Sequence, residues 1–162
     1  MVLVDLEKRK VVGFVEQRTK KAITEYLEPW GEEVLSGIQE VSIDLWKTYK
    51  SLVEELMPQA KIVADRFHVM KQVNDELDAA RRKIKKEAER LKNKDEKSKI
   101  LSGLTKSKYV LLKNQKDLKE SEQEKLKEVQ KVAPVLREMH RLKEQLRNIF
   151  ETQKNWSEGL LN

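Results

Sequence analysis

At 162 residues the chain can form one domain of ordinary size, or a small domain with an appendage, and burial of roughly 70% of the unfolded surface is feasible without cross-links. Hydrophobic and charged residues each make up 38%, against averages of roughly 45–50% and 25%, so part of the chain is expected to be thin and solvated. Cysteine is absent, which excludes a disulfide scaffold, thiolate zinc sites and thiol catalysis, and no apolar run approaches a membrane span or a signal-peptide core. The expected compartment is the cytoplasm.

The net charge of +6 is unevenly divided. Residues 1–70 hold 10 Lys and Arg against 12 Asp and Glu, whereas residues 71–162 hold 24 against 16. Hydrophobic periodicity changes near the same place. Two regions are therefore expected, an α/β region over 1–70 and a basic helical region over 71–162, in a mixed α+β chain that is helix-rich overall.

In the first region, Val2 to Asp5 and Val11 to Val15 are β-branched runs around the polar stretch Glu7 to Lys10, the pattern of an antiparallel hairpin that needs a sheet to join. Thr19 is a candidate N-cap for a helix over Lys20 to Leu27, whose Ile23, Tyr26 and Leu27 share a face and which stops at Pro29. Val41 to Asp44 reads as a third strand. Trp46, Tyr49, Leu52, Val53 and Leu56 then recur at helical spacing up to Pro58, and Lys61 to Asp65 reads as a fourth strand. A strand, helix, strand order implies that the last two strands lie parallel through a right-handed crossover.

Asp44 and Asp65 each close a β-run. In open α/β sheets the crevice beyond the strands' carboxyl ends is the usual ligand site, and a carboxylate there is also a common helix N-cap, so both residues carry both readings. Hard cations such as Mg2+ take oxygen ligands, and two ions about 4 Å apart can activate a water and stabilise a leaving oxygen in phosphodiester cleavage. That chemistry needs at least three carboxylates; Asp5, just before a polar turn, reads as a solvated turn residue instead. His68 reads either as a helix-start residue packed locally or as a group reaching phosphate, and Arg66 could clamp phosphate through its fork of donors. His140, in a charged helical pattern, is expected to be solvated. A phosphate-cradling glycine loop and a histidine-based metal motif are both missing from the sequence.

In the second region, Phe67, Met70, Val73, Leu77, Ala80, Ile84, Ala88 and Leu91 step by three or four, giving one long amphipathic helix that the polar run Asn93 to Lys97 breaks. Short segments follow over Ser98 to Leu104 and around Tyr109 to Leu112. Leu118 to Phe150 is helical again, with Leu136, Met139, Leu142, Leu146 and Ile149 as its apolar stripe after an interruption at Pro134. A helical hairpin or small bundle is expected. Lysines around 116–131 alternate with glutamates and read as a solvated face. Arg81, Arg82, Lys83, Lys85 and Lys86 put five cations in six positions without an acid among them, a field suited to DNA phosphates.

These residues fall into a recognisable pattern. An aspartate after a β-run, a tyrosine five residues on, a proline before a strand, a D-R-F-H-V block and paired arginines are here Asp44, Tyr49, Pro58, Asp65 to Val69 and Arg81-Arg82. The stretch from Val41 to Arg82 resembles the catalytic domain of DDE transposases of bacterial insertion sequences, of the ISL-three type. The opening residues look like the hairpin and first helix of that domain, and the Lys/Glu/Leu-rich remainder like its helical insertion. The resemblance implies an RNase H-like sheet, Mg2+ or Mn2+ held by two aspartates and a later glutamate, attack on a DNA phosphodiester by water or a 3′-hydroxyl, and transposon ends as the partner. Asp44 matches the second aspartate of that triad; Asp65, Arg66 and His68 match residues near the same crevice. In the family the first aspartate precedes the hairpin and the glutamate follows the insertion. The expectation is an internal piece of a transposase catalytic domain that does not cut or join DNA alone. Its unpaired strand edges are left either to be closed by the hairpin and third strand or to be met by another chain, such as a second copy, and the alternative function is a non-enzymatic helical module that binds DNA or a partner.

Overall fold

The computed structural model describes residues 1–44 and 46–159, with the backbone alone for residues 153–159. It is a mixed α+β chain that divides into two compact units, Met1–Val69 and Met70–Asn162.

In the first unit Val2–Asp5 (β1) and Lys10–Phe14 (β2) pair antiparallel, with Val2 opposite Phe14 and Asp5 opposite Lys10. The turn is held where Asp5 Oδ1 accepts from the Lys8 N–H at 2.8 Å. Thr19 caps the helix Lys20–Leu27 (α1), its hydroxyl accepting from the Ala22 N–H at 3.3 Å, and Ile23 and Leu27, one turn apart, are buried. As expected, α1 stops short of Pro29. The proline lies in the first turn of a 3-10 segment, Glu28–Trp30, where a missing N–H costs nothing, and the chain continues into the helix Gly31–Ser36 (α2). Glu40–Ile43 (β3), the helix Lys47–Leu56 (α3) and Lys61–Ala64 (β4) follow. β3 and β4 are parallel, with Glu40 opposite Lys61 and Ile43 opposite Ala64.

The four strands form two separate two-stranded ladders, and the hairpin joins no larger sheet among the described residues. Both ladders lean instead on one apolar cluster. Leu3 and Val15 from the hairpin side and Val41, Ile43 and Ile62 from the parallel pair meet Ile23, Leu27, Tyr49, Leu52 and Val53 of α1 and α3. The inward residues of each ladder are satisfied by helices, so burial does not require the strands to hydrogen-bond across.

The helix Arg66–Glu89 (α4) carries the chain from the first unit into the second. Asn93 then starts a helix where the polar composition reads as a break: its Oδ1 accepts from the Asp95 and Glu96 N–H groups, capping Lys94–Leu104 (α5). Lys108–Leu112 (α6), a 3-10 turn at Gln115–Asp117, Glu120–Val132 (α7) and Pro134–Gly159 (α8) complete the unit. α7 packs against α5, α6 and α8, and Leu77 of α4 joins Leu104, Leu111, Leu126, Val129 and Leu136 in a single core. This is a small bundle. α5 and α7 approach closely at Gly103, where a Cβ would lie 2.6 Å from Val132 Cγ2, so glycine is what lets α5 meet α7.

The expectation for His140 is overturned. It is 1% exposed, and burial, then the nearby Lys143 charge, lower its pKa from 6.5 to about 4. The inward face of α8 runs through Leu136, His140 and Lys143, all buried, while Leu142 and Ile149 of the expected apolar stripe are each 51% exposed. Lys143 is drawn in by acceptors. Its ammonium donates to Leu111 O at 2.7 Å and Lys113 O at 2.8 Å, at the carboxyl end of α6, and lies 2.9 Å from Glu144 Oε1. A cation is favoured where helix carbonyls are left without intrahelical partners.

Candidate functional site

The parallel pair β3–β4 ends on two carboxylates. Asp44 and Asp65 each directly follow the register pair Ile43–Ala64, and the Asp65 N–H donates to Ile43 O at 2.7 Å, continuing the ladder by one bond. Neighbouring strands are about 4.8 Å apart, so the two residues start side by side at the carboxyl end of the pair. The parallel register of β3 and β4 brings this about; sequence spacing alone does not.

The two side chains are used differently. Asp65 Oδ1 accepts from the Phe67 N–H at 2.6 Å and from the His68 N–H at 3.4 Å, the arrangement of a helix N-cap on α4. Its other oxygen lies 3.2 Å from His68 Nδ1. Asp44 Oδ1 accepts from the Trp46 N–H at 2.9 Å, a local turn that leads into α3. Asp44 Oδ2 accepts from Arg18 Nη2 at 3.2 Å, with the carboxylate 17% exposed.

Arg18 was not among the residues singled out from sequence. It lies between β2 and α1, and its Nε donates to Tyr49 Oη at 2.9 Å while the guanidinium carbon stands 5.8 Å from the Tyr49 ring centre. Tyr49 is buried in the core of the unit, and Trp46 packs edge-on against it at 4.8 Å. The hydrogen bond to Tyr49 and the electrostatic interaction with it raise the Arg18 pKa further, with a smaller contribution from the Asp44 charge. The only sequence signal for this residue would have been the Tyr49 spacing after Asp44, which marks the post but not the group that rests on it.

Of the remaining candidates, Arg66 is half-buried at the first position of α4 and His68 stands at its third, within the first turn. Arg81 turns inward: its Nε donates to Asp78 Oδ1 at 2.8 Å with both side chains 15% exposed. Arg82 shares the same carboxylate at 3.4 Å from its outer side. Lys83, Lys85 and Lys86 are exposed, as is Arg82, while Ile84 between them packs against the core. The basic run thus divides into one arginine holding the helix surface together and a solvent-facing stripe. Among the described residues no group of three His, Cys, Asp or Glu side chains is placed to hold a metal ion, and no helix is long and apolar enough to cross a membrane.

A family model described as a transposase, the ISL3 type of the DDE enzymes, matches residues 1–162. Two curated relatives from two strains of Mycobacterium tuberculosis, each named "Transposase for insertion sequence element IS1557", are 28% identical over 167 residues, which covers 92% of this chain and 37% of each relative. The chain therefore spans little more than a third of the length of these relatives. No solved structure matches.

Proposed function

The chain belongs to the ISL3-type DDE transposase family, and from that premise we propose that it serves DNA transposition, contributing part of the catalytic region of a protein that cuts and joins DNA at the ends of an insertion sequence. In this reading Met1–Val69 belongs to an RNase H-like core and the remainder is its helical insertion. The observation that carries it is the placement of Asp44 and Asp65 side by side beyond a parallel strand pair, on the strand-end crevice where α/β sheets bind ligands. The family match favours this over a stand-alone binding module. Acting on bacterial DNA, the protein would work in the cytoplasm.

Divalent cations are general to the family; Mg2+ or Mn2+ at Asp44 is our proposal. The described residues do not by themselves fit a two-ion site, because the cluster needed is absent among them and both oxygens of Asp44 already accept hydrogen bonds. Asp44 would contribute one ligand, and further carboxylates would have to come from outside the described residues. Asp65 is read as the residue that fixes the start of α4 at the crevice, with His68 and Arg66 beside it as phosphate-contacting candidates.

Two expected results follow. The 162-residue chain does not cleave or join a transposon-end duplex in Mg2+ or Mn2+; cleavage that disappears in Asp44→Ala would overturn that. In a longer protein that contains these residues and is active, Asp44→Ala lowers strand cleavage by more than about a hundredfold, beyond the cost of losing an outer partner of a metal ligand, with the fold intact by circular dichroism. Retained cleavage removes Asp44 from the chemistry.

For DNA contact, the exposed lysines are assigned to phosphates and Arg81 to the helix surface. Neutralising Lys83, Lys85 and Lys86 together is expected to weaken duplex binding and to flatten the dependence of log affinity on log salt by about 2–3. An unchanged salt slope in a filter-binding or anisotropy titration would move the DNA surface elsewhere. A second copy of the chain is a proposed partner for the hairpin's outer face, where Val11, Val12 and Phe14 are exposed.

A further inference from the structure

The turn between α5 and α6 puts two lysines and a tyrosine ring into solvent. From Lys97 to Lys116 the sequence holds six lysines and not one acid. Lys113 and Lys116 pair with Glu122 and Glu151, whereas Lys106 and Lys108 are exposed and form no ion pair among the described residues. On α7, which packs against both helices, Glu128 is taken by Lys125 at 2.8 Å. Beside the two free cations stands Tyr109, 76% exposed. An exposed tyrosine alone means little; its mounting gives it a direction. Val110 and Leu111, the next two residues, are 6% and 0% exposed, and Ser107 is 1% exposed with its hydroxyl donating to Leu104 O at 2.6 Å. Anchored on both sides, Lys108 and Tyr109 face outward. Lys106 adopts φ +54°, the left-handed conformation in which helices commonly end on glycine. A lysine there carries backbone strain that glycine would avoid, and what it adds in return is a charge next to the ring.

We propose that this turn is a contact for single-stranded DNA, with the Tyr109 ring stacking on an unpaired base and Lys106 and Lys108 taking neighbouring phosphates. This rests on the reading that the protein works on DNA, and adds that the strand is unpaired where it meets the turn. The ring decides between a single strand and a duplex. Duplex phosphates would satisfy the lysines but leave the ring idle, because paired bases are already stacked on one another; an unpaired base of any identity offers it a face. A tyrosine has only two side-chain rotors to freeze, and a rigid mount spares the backbone cost as well, so most of the stacking is retained as affinity. The lysines supply charge without sequence preference.

The test is an anisotropy titration of the 162-residue chain with a labelled oligothymidylate and, separately, with a duplex of the same length. Tyr109→Ala is expected to weaken single-strand binding about tenfold, within the range for one base stacked on an aromatic ring, and to leave duplex binding unchanged. Tyr109→Trp should hold or strengthen the single-strand affinity. Lys106→Gln combined with Lys108→Gln should flatten the dependence of log affinity on log salt by about 1–1.5 for the single strand. All three side chains are exposed, so the variants should keep the helical circular dichroism of the wild type. Unchanged single-strand affinity in Tyr109→Ala, an equal loss on the duplex, or an unchanged salt slope in the double glutamine variant overturns this inference and leaves the DNA reading standing. Failure of the wild type to bind either DNA at low salt overturns both.

Discussion

Replacing Lys143 with alanine is expected to destabilise the protein by about 3–5 kcal/mol, the range for removing one partner of a buried charge pair. The side chain is fully buried, and its ammonium has three partners: the carbonyls of Leu111 and Lys113 and the carboxylate of Glu144. Burial lowers the Lys143 pKa while Glu144 opposes the shift. Truncation leaves two carbonyls unsatisfied, a carboxylate only 15% exposed without its nearest cation, and a cavity. Arg147 lies 3.9 Å from Glu144 and can recover part of the charge balance. Lys143→Met, which keeps the volume, should cost less, roughly 1–3 kcal/mol, because only the polar terms are lost. Urea titrations followed by helical circular dichroism would resolve the two, as lower midpoints at unchanged slope. A Lys143→Ala midpoint equal to wild type would mean that the ammonium contributes nothing net to the bundle.

The second large effect is acid sensitivity above the carboxylate range. His140 titrates at about 4 in the folded protein against 6.5 for the free side chain, so the unfolded chain takes up its proton first. Stability from this group is fully present above pH 6.5 and is lost as pH falls toward the folded value, amounting to about 2 kcal/mol by pH 5. The groups facing the imidazole explain the direction. Burial comes first, the Lys143 charge adds to it, and Glu144 opposes both. Glu122 and Glu138, whose pKa values are lowered by Lys113 and Arg141, lose their contributions only on further acidification. The window from pH 7 to pH 5 therefore carries the His140 contribution, and His140→Leu should reduce the pH dependence of the urea midpoint there. A wild-type midpoint that is level across this window would show that the imidazole gains a proton without cost.

Both effects come from a helix face that hydropathy misassigns. Leu142, Leu146 and Ile149 read as the inner stripe of α8, yet Leu142 and Ile149 lie outward and the core takes His140 and Lys143. The deciding acceptors, Leu111 O and Lys113 O, are 32 and 30 residues away along the chain. Periodicity counts apolar side chains and has no access to carbonyls presented by another helix. The same holds for Arg18, whose partners Asp44 and Tyr49 lie 26 and 31 residues further on.

Where the controlling interaction is local, the residues alone were enough. Thr19 caps α1 by accepting from the Ala22 N–H three residues on, the β-branched runs Val2 to Asp5 and Val11 to Val15 around a polar stretch encode a hairpin, and the order of β3, α3 and β4 leaves a parallel pair as its outcome. The positions of Asp44 and Asp65 at the ends of that pair could be read in the same way, as could the family pattern around them. What each carboxylate touches could not. Asp65 capping α4, Asp44 held by Arg18, Arg81 drawn back to Asp78 and the two ladders kept apart all depend on groups brought together by packing. Local propensity sets the elements because their hydrogen bonds close within a few residues; contacts between elements depend on burial and charge summed over the folded unit, and those arise only once it has formed.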